Sequence, residues 1–229
     1  VVGSDRTAEE FGRIFSPFPV VASSGERIAD EVAPGPRIVV ATPGAEPRAP
    51  EGYGTVLLLD TWAMLGRQDL RADEDAFAAW ARAANLARSA ADGGHVVIDA
   101  DAAHPTVADL LVWDAVGAAD RELRDRSEAQ LPPAFHVAAV DGTESGLRTF
   151  MESLELPGGA EILGPVDLPR GARPPAGVEP GTPIQRLLVR CERRQARAVG
   201  SALKAAQAVR ATRKDPEPVR VIVDPIRFG

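Results

Sequence analysis

Hydrophobic positions fall into two regimes along the chain. In the first, short uninterrupted apolar runs alternate with helical segments. RIVVAT (37–42), TVLLLD (55–60) and HVVIDA (95–100) lack a polar face, as expected of parallel strands covered on both sides. Val1–Ser4 reads as a further strand leading into the helix DRTAEEFGRIF, where Ser4 or Asp5 can cap and Glu9 and Glu10 suit the first turn. PGAEPRAPEGYG between the second and third runs is dense in turn formers. After GRQDLRADED, Phe77, Trp80, Ala84 and Ala87 recur at spacings of 3, 4 and 3, which predicts a helix with one stripe toward a core. The alternation predicts a doubly wound α/β unit over residues 1–103.

The second regime begins with a helical connection, residues 104–130. Pro105 suits a helix start, and TVADLLVWDAV and AADRELRDRSEAQ follow before Leu131-Pro132-Pro133. AFHVAAVD, ESGLRTFMESLE and AEILGPV then read as strand, helix, strand. A Pro/Gly-rich loop (165–183) separates them from IQRLLVR, RRQARAVGSALKAAQAVRA and PVRVIVDP, again strand, helix, strand. Two successive β-α-β units over 131–229 predict a smaller open-faced α+β sandwich.

Charge changes this picture. The net charge is −7, yet residues 186–229 hold eleven Arg/Lys against four Asp/Glu, leaving residues 1–185 at −14. An acidic protein with a basic end can still present an anion-attracting face. Arg193, Arg197 and Lys204 share one helix side by spacings of 4 and 7, and Arg190, Arg194, Arg210, Arg213 and Lys214 add charge nearby. Phosphate contacts require little beyond positive charge, so these eight residues are the candidate DNA-binding set; a solvated helix face is the plain structural alternative. Stacking support is thin, since Phe228 is the only aromatic residue after Phe150.

Other chemistry is sparse. Cys191 stands alone, which excludes an internal disulfide framework or a cysteine zinc module. The only lysines, Lys204 and Lys214, do not follow a glycine, so no phosphate-binding P-loop is present and ATP hydrolysis by that route is not expected of this chain alone. Asp99, Asp101 and His104 are suitable hard-metal ligands, but they read as a polar loop leaving a strand, and no metal is assigned. Asp60 is either a cleft residue or a strand-end cap. Trp62, Trp80 and Trp113 read as core or interlobe packing residues. No run of apolar residues suits a membrane span or a cleaved leader, and a cytoplasmic location is expected.

The order of these pieces resembles one family. VVGSDRTAEEFGRIF, RIVVATPGAEP, TVLLLDTWAMLGRQDLRADEDAFAAWARAANLARS, GGHVVIDADAAHP, LPPAF, ILGPV and VRVIVDPIRFG look like the C-terminal part of primosomal protein N-prime, the replication restart helicase family, in a divergent actinobacterial form. The resemblance implies a RecA-like second helicase lobe over 1–103 and a DNA-binding C-terminal domain. ATP and zinc belong, by the same resemblance, to upstream regions, so no cofactor is expected here. Active members carry Gly-Thr-Gln-Met-Leu-Ala-Lys-Gly where this chain has Ala41-Thr42-Pro43-Gly44-Ala45-Glu46-Pro47-Arg48. Where they carry Gln-Val-Ala-Gly-Arg-Ala-Gly-Arg, it has Arg82-Ala83-Ala84-Asn85-Leu86-Ala87-Arg88-Ser89. Leu86 and Ser89 occupy the arginine positions that would stabilise charge on a transferred phosphoryl group, and Arg88, one residue displaced, is rotated by about 100° on a helix.

Thr42, Arg82, Asn85, Leu86, Arg88 and Ser89 therefore mark a degenerate nucleotide motif with no catalytic residue. The expected function is a replication-restart component that binds forked or single-stranded DNA, with single-stranded DNA-binding protein and helicase-loading machinery as partners. The rivals are the second lobe of an active 3'-5' helicase whose P-loop lies upstream, and an unrelated nucleotide-binding α/β protein.

Overall fold

The computed structural model describes residues 3–169, 171–215 and 217–225. Contacts divide the chain into two compact units, Val1–Ala118 and Ala119–Gly229. Both are mixed α/β.

The first unit contains α1 (Ser4–Ile14), β1 (Val20–Ser23), β2 (Ile38–Ala41), β3 (Thr55–Leu58), α2 (Thr61–Leu65), α3 (Ala72–Ala84), β4 (His95–Ile98) and α4 (Pro105–Leu111); α5 (Ala115–Glu128) begins near its end. Ser4 opens α1 instead of ending a strand, and Val1 and Val2 lie outside the described residues. β1, which the sequence pattern did not mark, pairs in parallel with β2; β3 pairs in parallel with β4. Parallel pairing is as expected, but the described strands form two separate two-stranded sheets and not one doubly wound sheet. Leu58, Ala76, Trp80, Ala83, Val107 and Leu110 build the core between β3 and helices α3 and α4. Asp73 in the first turn of α3 accepts a hydrogen bond from Thr106 at 3.0 Å, tying α3 to the start of α4. Of the three tryptophans only Trp80 is core; Trp62 and Trp113 are 64% and 54% exposed.

The second unit contains β5 (Phe135–Gly142), α6 (Glu144–Glu152), β6 (Glu161–Asp167), β7 (Gln185–Glu192), α7 (Ala196–Arg213) and β8 (Val219–Val223). Its antiparallel sheet has the order β6-β7-β5-β8. Each β-α-β unit is thus split by a strand of the other, the arrangement of a ferredoxin-like sandwich. β6 reaches three residues into the segment read as loop, 165–167. One sheet face carries Ala138, Val140, Leu187, Val189 and Cys191 into a core with Leu147 and Phe150 of α6 and Val199, Leu203 and Ala206 of α7. Burial beside Asp224 and Glu192 pushes the Cys191 thiol up, so it behaves as a small hydrophobe.

The opposite face holds a charged triad. Asp141 on β5 sits opposite Arg186 of β7 and Arg220 of β8. Its carboxylate accepts from Arg186 at 2.7 and 3.1 Å and from Arg220 at 2.8 Å. Burial alone would push the Asp141 carboxyl up; hydrogen bonds from the two guanidiniums, with their charge, outweigh it and hold it below the usual range.

A second polar network closes the end of α7. Arg210 is buried and donates to Asp215 at 3.0 Å and to the Glu217 carbonyl. Thr149 of α6 donates to the same Asp215 carboxylate at 2.7 Å, and Thr143, the N-cap of α6, donates to Glu217 at 2.6 Å. Hydrogen bonds from Arg210 and Thr149 lower the Asp215 carboxyl from 3.8 to about 2. A carboxyl depressed on folding contributes stability that is complete above its unfolded value and is lost as pH falls through its folded one. Acid titration between pH 4 and 2 should therefore lower the thermal midpoint of this protein, and Asp215→Asn should flatten that dependence; an equally steep curve in the variant would assign the acid sensitivity elsewhere.

Candidate nucleic-acid interface

Helix α7 forms because ARAVGSALKAAQAVRATR is rich in alanine and unbranched side chains, which lose little freedom in a helix. A 3-10 turn, Arg193–Gln195, precedes it. Val199, Leu203, Ala206 and Arg210, spaced 4, 3 and 4, are its buried stripe. The opposite side is exposed and carries Arg197, Ser201, Lys204 and Ala208. Arg197 and Lys204 lie two turns apart, about 10 Å along the axis and within roughly 20° of each other around it. Among the described residues neither has a recorded ion-pair partner.

The eight candidate cations are not equivalent. Arg194 is exposed and lies 2.7 Å from the exposed Glu192. Arg213 and Lys214 are exposed at the C-terminal end of α7, with Lys214 in a left-handed conformation, φ 54°; Arg213 is rotated about 160° from Arg197. Arg193 is exposed but donates to the Pro133 carbonyl at 2.9 Å, anchoring the helix start to the LPP segment. Arg190, on β7, is paired with Glu161. Arg210 is withdrawn altogether, since its guanidinium lies inside the Asp215–Glu217 network. The exposed set is thus Arg193, Arg194, Arg197, Lys204, Arg213 and Lys214. Sequence spacing could have flagged Arg210, which falls on the Val199–Leu203–Ala206 stripe.

The candidate nucleotide motif lies in the first unit. Thr42 extends the β1–β2 pairing through its N–H to Ser23, and its carbonyl accepts from Ala45. Buried Ser23 fixes the loop by donating to the Ala45 carbonyl at 2.6 Å and accepting from the Ala29 N–H at 3.0 Å. Pro47 is buried, and its carbonyl accepts from Tyr53 at 2.8 Å; burial raises the Tyr53 phenol.

The second half of the motif departs from the sequence expectation. Helix α3 stops at Ala84, with Asn85 as its C-cap and the Asn85 amide donating to the Ala81 carbonyl. A turn at Asn85 and Leu86, in which the Leu86 and Ala87 N–H groups bond back to the Ala83 and Ala84 carbonyls, brings Ala87 into a parallel bridge with Tyr53: the Leu86 carbonyl accepts from Tyr53 at 2.8 Å, and Arg88 donates to the Tyr53 carbonyl at 2.9 Å. Ala87 is therefore not part of the helical stripe, and a helical rotation does not describe Arg88. The Arg88 side chain turns onto Glu51, donating to its carbonyl at 3.0 Å and to its carboxylate at 3.4 Å. Ser89 caps a 3-10 turn by accepting from Asp92 at 3.2 Å, and Arg82 is exposed on α3. An open cavity of about 420 Å³ lies beside this segment, lined in part by Pro34, Arg37, Glu51, Tyr53 and Arg88.

Glycine makes this packing feasible. A Cβ at Gly94 would stand 2.0 Å from the Arg88 carbonyl oxygen, a backbone atom that cannot swing aside. Gly94→Ala should lower stability by about 3 kcal/mol, near the upper end of overpacking effects, as read by the denaturant midpoint. An unchanged midpoint would mean that the Leu86–Arg88 segment readily moves away from Gly94.

No group of three or more side chains suited to a metal comes together among the described residues, and no described helix is long and apolar enough to cross a membrane.

Residues 127–226 match the family of the primosomal protein N C-terminal domain. Over all 229 residues the chain is 51% identical to the probable replication restart protein PriA of Mycobacterium leprae. It is 47% identical, over 236 aligned positions, to the proteins of that name from Mycobacterium tuberculosis and Mycobacterium bovis. It spans about a third of the length of these relatives, 35% and 36%. The alignments cover the whole chain and so add the first unit to the match at the C-terminal domain. The chain belongs to the primosomal protein N-prime, or PriA, replication restart family and corresponds to its C-terminal part.

Proposed function

We propose that this chain is the DNA-engaging C-terminal part of a replication-restart protein, acting by binding and scaffolding. The observation that carries the reading is the exposed cation row of α7, Arg197 and Lys204 with Arg194 ahead of them, inside the segment that matches the primosomal domain. Such a row neutralises phosphates without reading bases, which suits a protein that meets forks wherever they stall. Residues 1–103 serve as a RecA-like second helicase lobe retained for architecture, 104–130 connect, and 131–229 bind DNA. The parallel pairs β1–β2 and β3–β4 support the lobe assignment. The turn of Arg88 onto Glu51, with Leu86 and Ser89 at the family's arginine positions, supports loss of the motor. ATP and zinc would be held by regions upstream. The partners are forked or single-stranded DNA in the cytoplasm, with single-stranded DNA-binding protein and the machinery that reloads the replicative helicase.

Fluorescence anisotropy with fork, single-stranded and duplex DNA across a salt series tests the binding claim. Salt-sensitive association is expected, with log affinity falling linearly in log salt. No binding to any of the three would reject it. DNA-stimulated ATP turnover by the longer polypeptide would reject the degenerate motor and favour an active helicase.

A further inference from the structure

Helices α4 and α5 are joined by Val112, Trp113 and Asp114, and the central residue of this corner is an exposed tryptophan. Leu111, Val112 and Val116 beside it in sequence are exposed too, the two valines at 72%. The Trp113 backbone is left-handed, φ 56°, a conformation that is strained for a bulky side chain. Among the described residues the other non-glycine positions with positive φ are Asp60, Gln130, Lys214 and Asp224, all polar. Hydrogen bonds fix the corner. The Trp113 N–H donates to the Leu110 carbonyl at 3.1 Å, the Asp114 N–H to the Asp109 carbonyl at 2.9 Å, and the Gly117 N–H to the Asp114 carboxylate at 2.7 Å. Burial does not account for the strain, since the side chain stays in water.

We infer that Trp113 is a stacking platform for an unpaired base of single-stranded or forked DNA. The inference rests on the DNA-binding reading above and adds a contact that the cations of α7 do not supply. Every base has a π-face, so an indole held on a fixed corner can take one without regard to sequence. Size argues against a protein as the occupant. Stable interfaces bury about 800 Å² per partner, well beyond four side chains within six residues, whereas stacking requires a single ring. Charge argues against an anionic lipid surface, because Asp114 is the only charged residue from Leu111 to Ala119 and no basic residue joins the patch there.

The test is anisotropy binding of the full chain to single-stranded, forked and blunt duplex DNA over a salt series, with the variants Trp113→Leu, Trp113→Phe and Trp62→Leu. Trp113→Leu keeps an apolar side chain but removes the aromatic plane. It should weaken binding to single-stranded and forked DNA about 10-fold and leave blunt duplex unchanged. The slope of log affinity against log salt should stay as in the parent, since stacking neutralises no phosphate. Trp113→Phe should retain most of the affinity. Trp62, exposed on the regular helix α2, is the control, and Trp62→Leu should bind as the parent does. Unchanged affinity in Trp113→Leu would overturn the inference. So would an equal loss on blunt duplex, an equal loss in Trp113→Phe, or a loss shared by Trp62→Leu. A thermal midpoint that falls together with the affinity of Trp113→Leu would make the residue structural and overturn it as well. A parent that binds none of the three DNAs rejects the DNA-binding reading and this inference with it; a parent that binds them while Trp113→Leu loses nothing rejects this inference alone.

Discussion

Replacing Arg194, Arg197 and Lys204 together by alanine is expected to weaken binding to forked, single-stranded and duplex DNA by about 100-fold near 0.1 M salt. The slope of log affinity against log salt should flatten by roughly 3, about one for each phosphate contact removed. The loss should be similar for all sequences, because phosphate contacts carry no base information. Folding should survive the change. All three side chains are exposed, and the one recorded ion pair among them, Arg194–Glu192, is exposed on both partners, a kind of pair worth little. Arg210→Ala makes the opposite comparison: its guanidinium is buried in the α7 network, so the thermal midpoint should fall through a mechanism unrelated to DNA. Unchanged affinity and slope in the triple variant would move the DNA surface away from α7.

Asp141→Ala is expected to lower stability by about 3–5 kcal/mol, the range for breaking a buried ion pair from one side. Asp141 is fully buried and bridges three strands, so its loss leaves Arg186 and Arg220 facing each other across β5 without the charge that holds them together. Denaturant unfolding followed by far-UV circular dichroism measures it. Asp141→Asn, which preserves shape and removes charge, should be milder. If the alanine variant proved as stable as the parent, the guanidiniums would have to reach water or other acceptors with ease.

Parallel pairing of TVLLL with HVVI was legible because uninterrupted apolar runs belong to buried strands, and the β-α-β doublet was legible because period 2 and period 3.6 alternate cleanly after Leu131. Strand β1 was missed because VVAS offers only four residues between Pro19 and the Ser24-Gly25 turn. The α3 boundary was misread for a related reason. Nothing in the alanine-rich local pattern distinguishes Ala84 from Ala87, whereas the exit from the helix through the Asn85–Leu86 turn is set by the pairing of Ala87 with Tyr53 more than thirty residues earlier.

By itself the sequence determined most of the element types, the split of charge between the two ends, the absence of a P-loop lysine, and the family, since these depend on local composition and on the order of segments. Tertiary structure decided which cations remain available. Arg197 and Arg210 are similar as letters on one helix, but one faces solvent while the other is claimed by Asp215 and Glu217 beyond the helix end. It also decided that Asp141 bridges two arginines from strands 45 and 79 positions away, and that Leu57 and Val97 share a bare face. The physical reason is common to all three. Periodicity gives a side chain its direction within its own element, while burial and pairing depend on the element that folding brings alongside.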